Sequence, residues 1–212
     1  MDQPVWIRVP PDGARPGVLG PAVAALRAGS VVVVPTDTLY ALAVDPRDPE
    51  AVARVFRLKG RQPGVALPLA AASVAQVEAT LGALGSEARR LADRFWPGPL
   101  SLIVRAPPRL AAGVAAADGS IAVRVPANPV TQDLAAGLGF PITVTSANVS
   151  GRPPAATAPE IATWCGDRVA VIVDGGPNSG GPPSTIVAAD ATGVRLVRAG
   201  AIAWARVLES LQ

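Results

Sequence analysis

The chain contains no histidine, one cysteine and, among its 19 Lys and Arg residues, a single lysine, Lys59. Without histidine there is no Ser-His-Asp or Cys-His machinery and no His-ligated zinc or haem. Cys165 alone makes no internal disulfide, no cysteine-rich zinc site and no iron–sulfur cluster. Aromatic residues are only 4% of the chain, so its core must be built from Val, Leu, Ile and Ala. Chemistry is left to arginine, Lys59, hydroxyls, carboxylates, backbone amides and, where a metal is needed, a hard ion.

Half of the 212 residues are apolar, enough for a sizeable core. The net charge of +3 argues against a general nucleic-acid coat, yet leaves room for one focused basic cleft. The preference for Arg over Lys also fits a G+C-rich coding sequence, as do the many Ala, Gly and Pro. The start, Met1-Asp2-Gln3-Pro4, lacks the basic and apolar regions of a signal peptide. No window of about 18 residues is free of charge and helix breakers, so no membrane span and a cytoplasmic location are expected.

Apolar periodicity predicts helices over 18–27, 73–84, 86–95, 129–138, 158–164 and 203–211. Another helix is capped by Asp48, starts at Pro49, runs into Lys59 and ends at Gly60. Ser73 and Ser86 are read as caps of their helices. Strands are expected over 30–34, 65–71, 100–104, 120–125, 141–145 and 169–173, with a hairpin of 185–188 and 194–198. Pro68 would suit an edge or a bulge. The pattern in 120–125 reads as half-buried, with Ile121, Val123 and Val125 opposite Ala122 and Arg124. Helices and strands alternate imperfectly, which favours one α/β domain over 1–212 on a twisted mixed β-sheet. The Gly/Pro-rich stretch 175–183 suits a site loop better than a tether.

Neither a P-loop nor a G-x-G-x-x-G after a strand is present, so common nucleotide fingerprints are absent. Four segments at element ends can carry chemistry. Pro35-Thr36-Asp37-Thr38-Leu39-Tyr40 reads either as a turn whose Thr and Asp satisfy backbone amides, or as hydroxyls and a phenol lining a pocket. Lys59-Gly60-Arg61 reads as a cationic helix end, or as two cations converging on one anion. The run 143–153, with Thr145, Ser146, Asn148 and Ser150, is a long turn or a set of phosphate, ribose or Mg²⁺-water contacts. Ser120 and Arg124 share one strand face, and Ser184 and Arg198 complete the set. An Arg facing inward on an apolar strand is expensive unless it meets an anion.

Together these segments resemble the YrdC-like family, the threonylcarbamoyl-adenylate synthases. The matching pieces occur in family order: PTDTLYAL (35–42), KGR (59–61), RFWPGPLSLIV (94–104), SIAVRVP (120–126), TSANVSG (145–151), STIV (184–187) and VRAG (197–200). The resemblance implies one α/β domain, a twisted mixed sheet curved around a deep basic cleft. It implies formation of threonylcarbamoyl-AMP and pyrophosphate from L-threonine, bicarbonate and ATP, with Mg²⁺ accompanying the ATP. A tRNA-modifying partner complex would then use the product at adenosine 37. Thr36 and Arg124 would hold threonine, with Ser184 nearby and Tyr40 as a wall. Lys59, Arg61, Ser120, Ser146, Asn148 and Arg198 would hold ATP, Lys59 and Arg61 acting in catalysis. Ala41 and Ala43 stand where the family usually has glycine, implying a narrowed pocket or shifted backbone. The same basic cleft would also suit double-stranded RNA or ribosome assembly, and a paralogue would take another amine. Low net charge and few aromatics place RNA binding second.

Overall fold

A computed structural model describes residues 3–10, 15, 17–60, 65–178, 180–190 and 193–212. Arg61, one of the expected anion ligands, lies outside these described residues. In chain order the elements are β1 (Val5–Arg8), α1 (Gly20–Arg27), β2 (Val32–Val34), β3 (Ala41–Ala43), α2 (Pro49–Lys59) and β4 (Leu69–Ala70). Then come α3 (Val74–Leu81), α4 (Ser86–Phe95), β5 (Leu100–Arg105), β6 (Ser120–Arg124), α5 (Pro129–Leu138), β7 (Ile142–Thr143) and β8 (Thr145–Ser146). The chain closes with α6 (Ala158–Cys165), β9 (Val171–Asp174), β10 (Thr185–Asp190), β11 (Gly193–Arg198) and α7 (Trp204–Glu209).

The α/β class holds, and the strands divide between two mixed sheets. One is ordered β1-β9-β2-β3-β8 and the other β11-β10-β5-β6-β4-β7. β2 is buried throughout because β9 and β3 flank it and apolar neighbours cover both faces. A continuous aliphatic core runs through both layers, from Val33 and Leu42 to Leu69, Leu102 and Leu134. None of the helices among the described residues is long and apolar enough to cross a membrane.

The stretch expected as one strand over 141–145 splits. Ile142–Thr143 pairs with β4 in one sheet, and Thr145–Ser146 pairs with β3 in the other. Val144 is the single residue between them, its N–H donating to the Pro68 carbonyl at 2.8 Å. Thr143 reaches into the neighbouring sheet as well. Its Oγ1 accepts from the Val44 amide at 2.9 Å, and its own amide donates to the Val44 carbonyl at 3.1 Å.

Other boundaries also move. The strand expected over 65–71 shrinks to Leu69–Ala70, lying inside its sheet between β6 and β7, so Pro68 precedes a strand and marks no edge. Gly85, not Ser86, occupies the N-cap of α4 without a side-chain cap, while Asp48 and Ser73 cap α2 and α3 as expected. β6 is buried on both faces rather than half-buried, because Ala122 and Arg124 are covered too. β1 and β3 carry no alternation long enough to read from sequence. Ala41 and Ala43 sit in regular β3 register, opposite Val34 and Val32, so their methyl groups fit the sheet without a bulge.

Candidate active site

The turn from β2 into β3 is closed by one hydroxyl. Thr36 Oγ1 accepts from the amides of Thr38 and Leu39, both at 3.1 Å, and donates to the Leu39 carbonyl at 2.7 Å. The turn reading is therefore correct for Thr36, and it leaves Asp37 and Thr38 to face outward from the loop. Arg124, at the end of β6 and 5% exposed, reaches them. Its Nη1 donates to Asp37 Oδ1, and its Nη2 to Thr38 Oγ1 at 3.1 Å and Thr36 Oγ1 at 3.4 Å. Asp37 Oδ2 accepts from the Ala127 amide at 3.0 Å. The anion that justifies a buried Arg124 is thus the protein's own carboxylate.

Lys59 closes α2 and is 3% exposed. Gly60, at φ 60°, ends the helix in the left-handed region and turns the chain away. The Lys59 ammonium donates to the carbonyls of Ser146 at 2.5 Å and Asn148 at 2.9 Å, and to Asn148 Oδ1 at 3.1 Å. Ser146 Oγ donates to the same Asn148 Oδ1 at 2.6 Å, and the Ser150 amide returns a bond to the Lys59 carbonyl at 3.0 Å. Helix end and Ser146–Asn148 segment therefore form one unit. Lys59 is anchored here by carbonyl and amide oxygens of its own chain.

Arg198 closes β11. Its Nη2 donates to the Ser184 carbonyl at 2.7 Å and to Ser184 Oγ at 3.2 Å. Ser184 Oγ also shares a hydrogen bond of 3.0 Å with Ser101 Oγ of β5. Burial first, and then the positive charge of Arg124, push the Arg198 guanidinium below its ordinary pKa, so the two arginines feel each other. Gly200 explains the end of the VRAG motif. A Cβ there would lie 2.2 Å from the Pro183 carbonyl oxygen and 2.5 Å from the Ser184 carbonyl carbon.

Tyr40 is buried, and its hydroxyl is fully used within the protein. It accepts from the Gly175 amide at 3.0 Å and donates to the Gly176 carbonyl at 2.7 Å, with Asp174 Oδ1 further off at 3.4 Å. Burial is the main reason its pKa is pushed up to about 12. Tyr40 is a wall, as expected. With Thr36, Asp37, Asn128 and Gly176 it lines a hollow of about 220 Å³. Lys59, Arg124 and Arg198 are not among the residues lining this hollow, so it is not the deep basic cleft that the resemblance implies.

Thr36 and Arg124 meet directly, as do Lys59, Ser146 and Asn148, and Ser184 and Arg198. The first two groups are joined through β3, since Ala41 pairs with Ser146 and the Ala147 amide donates to the Tyr40 carbonyl at 2.8 Å. The first and third are related through charge, since Arg124 contributes to the lowered pKa of Arg198. Ser120 is not brought in. It starts β6, pairs with Arg105 and lines a separate hollow with Asp118. Four residues of strand put it roughly 13 Å from Arg124 along the backbone, although both share one face. Sequence reasoning did not single out Ser101, and it named Asp37 and Thr38 only as parts of the 35–40 turn. The signal for Ser101 was present, a lone hydroxyl in the aliphatic run Leu100–Arg105.

A rigid set of donors, built from two arginines, a lysine and five hydroxyl or amide side chains, suits a ligand carrying several oxygens. A family model named for Sua5, YciO and YrdC, and described as "Telomere recombination", matches residues 24–200. The chain belongs to the Sua5/YciO/YrdC family. A family member from Halorhodospira halophila, named threonylcarbamoyl-AMP synthase, is 38% identical over 165 residues, 78% of this chain and 86% of that one. The crystal structure of P. abyssi Sua5 complexed with L-threonine superposes with a TM-score of 0.90 at 30% identity, covering 98% of this chain and 61% of that chain. E. coli YciO superposes with a TM-score of 0.82 at 27% identity, over 93% of this chain and 96% of that one. This chain thus corresponds to about three-fifths of the Sua5 chain and to nearly all of YciO.

Proposed function

We propose that this protein is an L-threonylcarbamoyladenylate synthase, a nucleotidyltransferase that joins L-threonine, bicarbonate and ATP into threonylcarbamoyl-AMP with release of pyrophosphate and water. The observation that carries the reading is the Arg124–Asp37–Thr36–Thr38 cluster beside Arg198 and Ser184, in a fold that superposes on a threonine complex of Sua5. The threonine amine and bicarbonate form a carbamate, and the carbamate oxygen attacks the α-phosphorus of ATP. The new bond is O–P, and the bond between the α-phosphorus and the bridging oxygen breaks with its electrons leaving on pyrophosphate. Two anions must approach. At about 4 Å their repulsion is roughly 4 kcal/mol at an effective dielectric near 20. The charges of Arg198 and Lys59, with Arg61 as a further cation of the proposed set, offset that repulsion, while Arg124 orients the amino acid. No step requires histidine.

Arg124 and Thr36, with Ser184 at hand, face the amino acid. Lys59, Ser146, Asn148 and Arg198 serve the phosphates and ribose, and Arg61 is assigned to the same ligand. Among the described residues no three His, Cys, Asp or Glu side chains gather into a metal cage. Mg²⁺ would be carried by the ATP phosphates, with the Ser146 and Asn148 side chains as partners of its water shell. Bound there, Mg²⁺ would neutralise phosphate charge. The product, a reactive mixed anhydride, goes to a tRNA-modifying partner complex.

The test is incubation with ATP, bicarbonate and each of several amino acids, followed by mass detection of the adenylate. A threonine-specific product is expected. A product with another amine, or RNA binding with steep salt dependence and no adenylate, overturns the reading. Lys59→Ala and Arg61→Ala are each expected to lose most activity, and a wild-type rate in either would remove that residue from the machinery.

A further inference from the structure

The proposed function assigns Asp37 to no substrate, and yet it is the carboxylate on which Arg124 rests. The side chains of the pair are 6% and 11% exposed. One Asp37 oxygen takes Arg124, and the other is tied to the Ala127 amide at 3.0 Å, just ahead of α5. The second Arg124 nitrogen is held by two threonine hydroxyls. Of the five N–H bonds of a guanidinium, these contacts leave at least two for a ligand, in directions already set. The contrast is with Arg198, whose hydrogen-bond partners are the Ser184 carbonyl and hydroxyl, both uncharged.

Resting on the synthase reading, we propose that Asp37 is the residue that fits the Arg124 end of the site to an amino acid. It cancels the charge of Arg124 and fixes its orientation, so that Arg124 acts as an aimed donor and not as a free cation. A zwitterionic amino acid has no net charge, and a neutral donor array accepts it without the charge imbalance that phosphate would require. A phosphate dianion is held better where a cation lacks its own counter-charge. The same active site must hold a triphosphate close to an amino acid. Arg124 without Asp37 would stand beside Arg198 as a second uncompensated guanidinium, and together they would form a phosphate trap in the amino-acid subsite.

The experiment is steady-state kinetics of threonine-dependent pyrophosphate release, with inorganic phosphate as the anionic probe. In the wild type, phosphate is expected to compete with ATP and not with threonine. Asp37→Asn should raise the KM for threonine about tenfold while the KM for ATP stays within about twofold. It should also make phosphate a competitor of threonine, strengthening its inhibition about tenfold, an effect that fades with added salt. Loss of packing alone would not create a new anion affinity. Thr38→Val loosens the same guanidinium without changing charge, so it should raise the threonine KM about threefold with no gain in phosphate inhibition. Competition between phosphate and threonine in the wild type overturns the proposal, even if Asp37→Asn does not fold. So does an Asp37→Asn enzyme with unchanged phosphate inhibition. Either result leaves the synthase reading standing, whereas a wild type that makes no threonine-dependent adenylate removes both.

Discussion

Arg124 and Arg198 end two strands of one sheet and lie close enough for one charge to act on the other. Their surroundings differ in kind. Arg124 is buried and ion-paired, whereas Arg198 is more exposed, with its guanidinium only partly covered, and rests on the carbonyl and hydroxyl of Ser184. The same side chain is thereby given two functions. One is a fixed, neutralised donor whose removal strands a carboxylate. The other has no carboxylate partner among the described residues and feels repulsion from its neighbour. The difference teaches that counting arginines in this family says little until the carboxylates beside them are known.

The largest expected effect breaks the comparison at its buried half. Arg124→Ala should destabilise the fold by about 3–5 kcal/mol, because Asp37 stays behind without its partner. Threonine-dependent turnover should fall with it, and chemical denaturation beside kinetics would measure both. Arg198→Ala strands no charge, so stability should change by at most about 1 kcal/mol. Its cost should appear in ATP use, as a loss of about a hundredfold in kcat/KM for ATP. Equal stability losses in the two variants would erase the distinction. Ser101→Ala is smaller still. It removes one buried hydrogen bond to Ser184 and should lower stability by about 1 kcal/mol, read as a shift in the urea midpoint.

The last effect is one of pH, confined to strongly alkaline conditions. Tyr40 is the group with a visible signature. Its folded pKa, about 12, lies above the ordinary value of 10.0. The phenol is protonated in both folded and unfolded chains below pH 10, so it adds no pH dependence there. Between 10 and 12 the unfolded chain loses the proton first, and stability should fall across that window. Tyr40→Phe should flatten that part of a stability–pH curve, and an unchanged slope would show that other groups cause it.

Much of this was legible in the sequence where local chemistry decides the outcome. Asp48, Pro49 and Gly60 bracket α2 because a cap, a proline at the first helical position and a left-handed glycine act within a few residues. In α5 the structure shows the same local chemistry, with Asn128 accepting from the Thr131 amide and Gly139 left-handed at the end. The two-residue strands were not legible, since Leu69–Ala70 and Ile142–Thr143 are strands only by virtue of distant partners. The site follows the same division. Motif spacing pointed to Thr36, Lys59, Arg124, Ser146, Asn148, Ser184 and Arg198, which meet in space as pairs and triplets. It misplaced Ser120, because sharing a strand face says nothing of distance along it. It overlooked Asp37, because a carboxylate in a turn reads as a local cap until the guanidinium from residue 124 arrives.

Val144 joins the two sheets with one residue, and Ser146 and Asn148 follow directly after it. A joint that short has no slack. One strand step is about 3.3 Å, so neither sheet can slip a register against the other without unzipping β7 or β8. The Lys59 end of the site is therefore set by a mechanical tolerance finer than one residue. An insertion of a single amino acid at 144, far more than most substitutions nearby, would take the Ser146–Asn148 segment out of reach of the helix it serves.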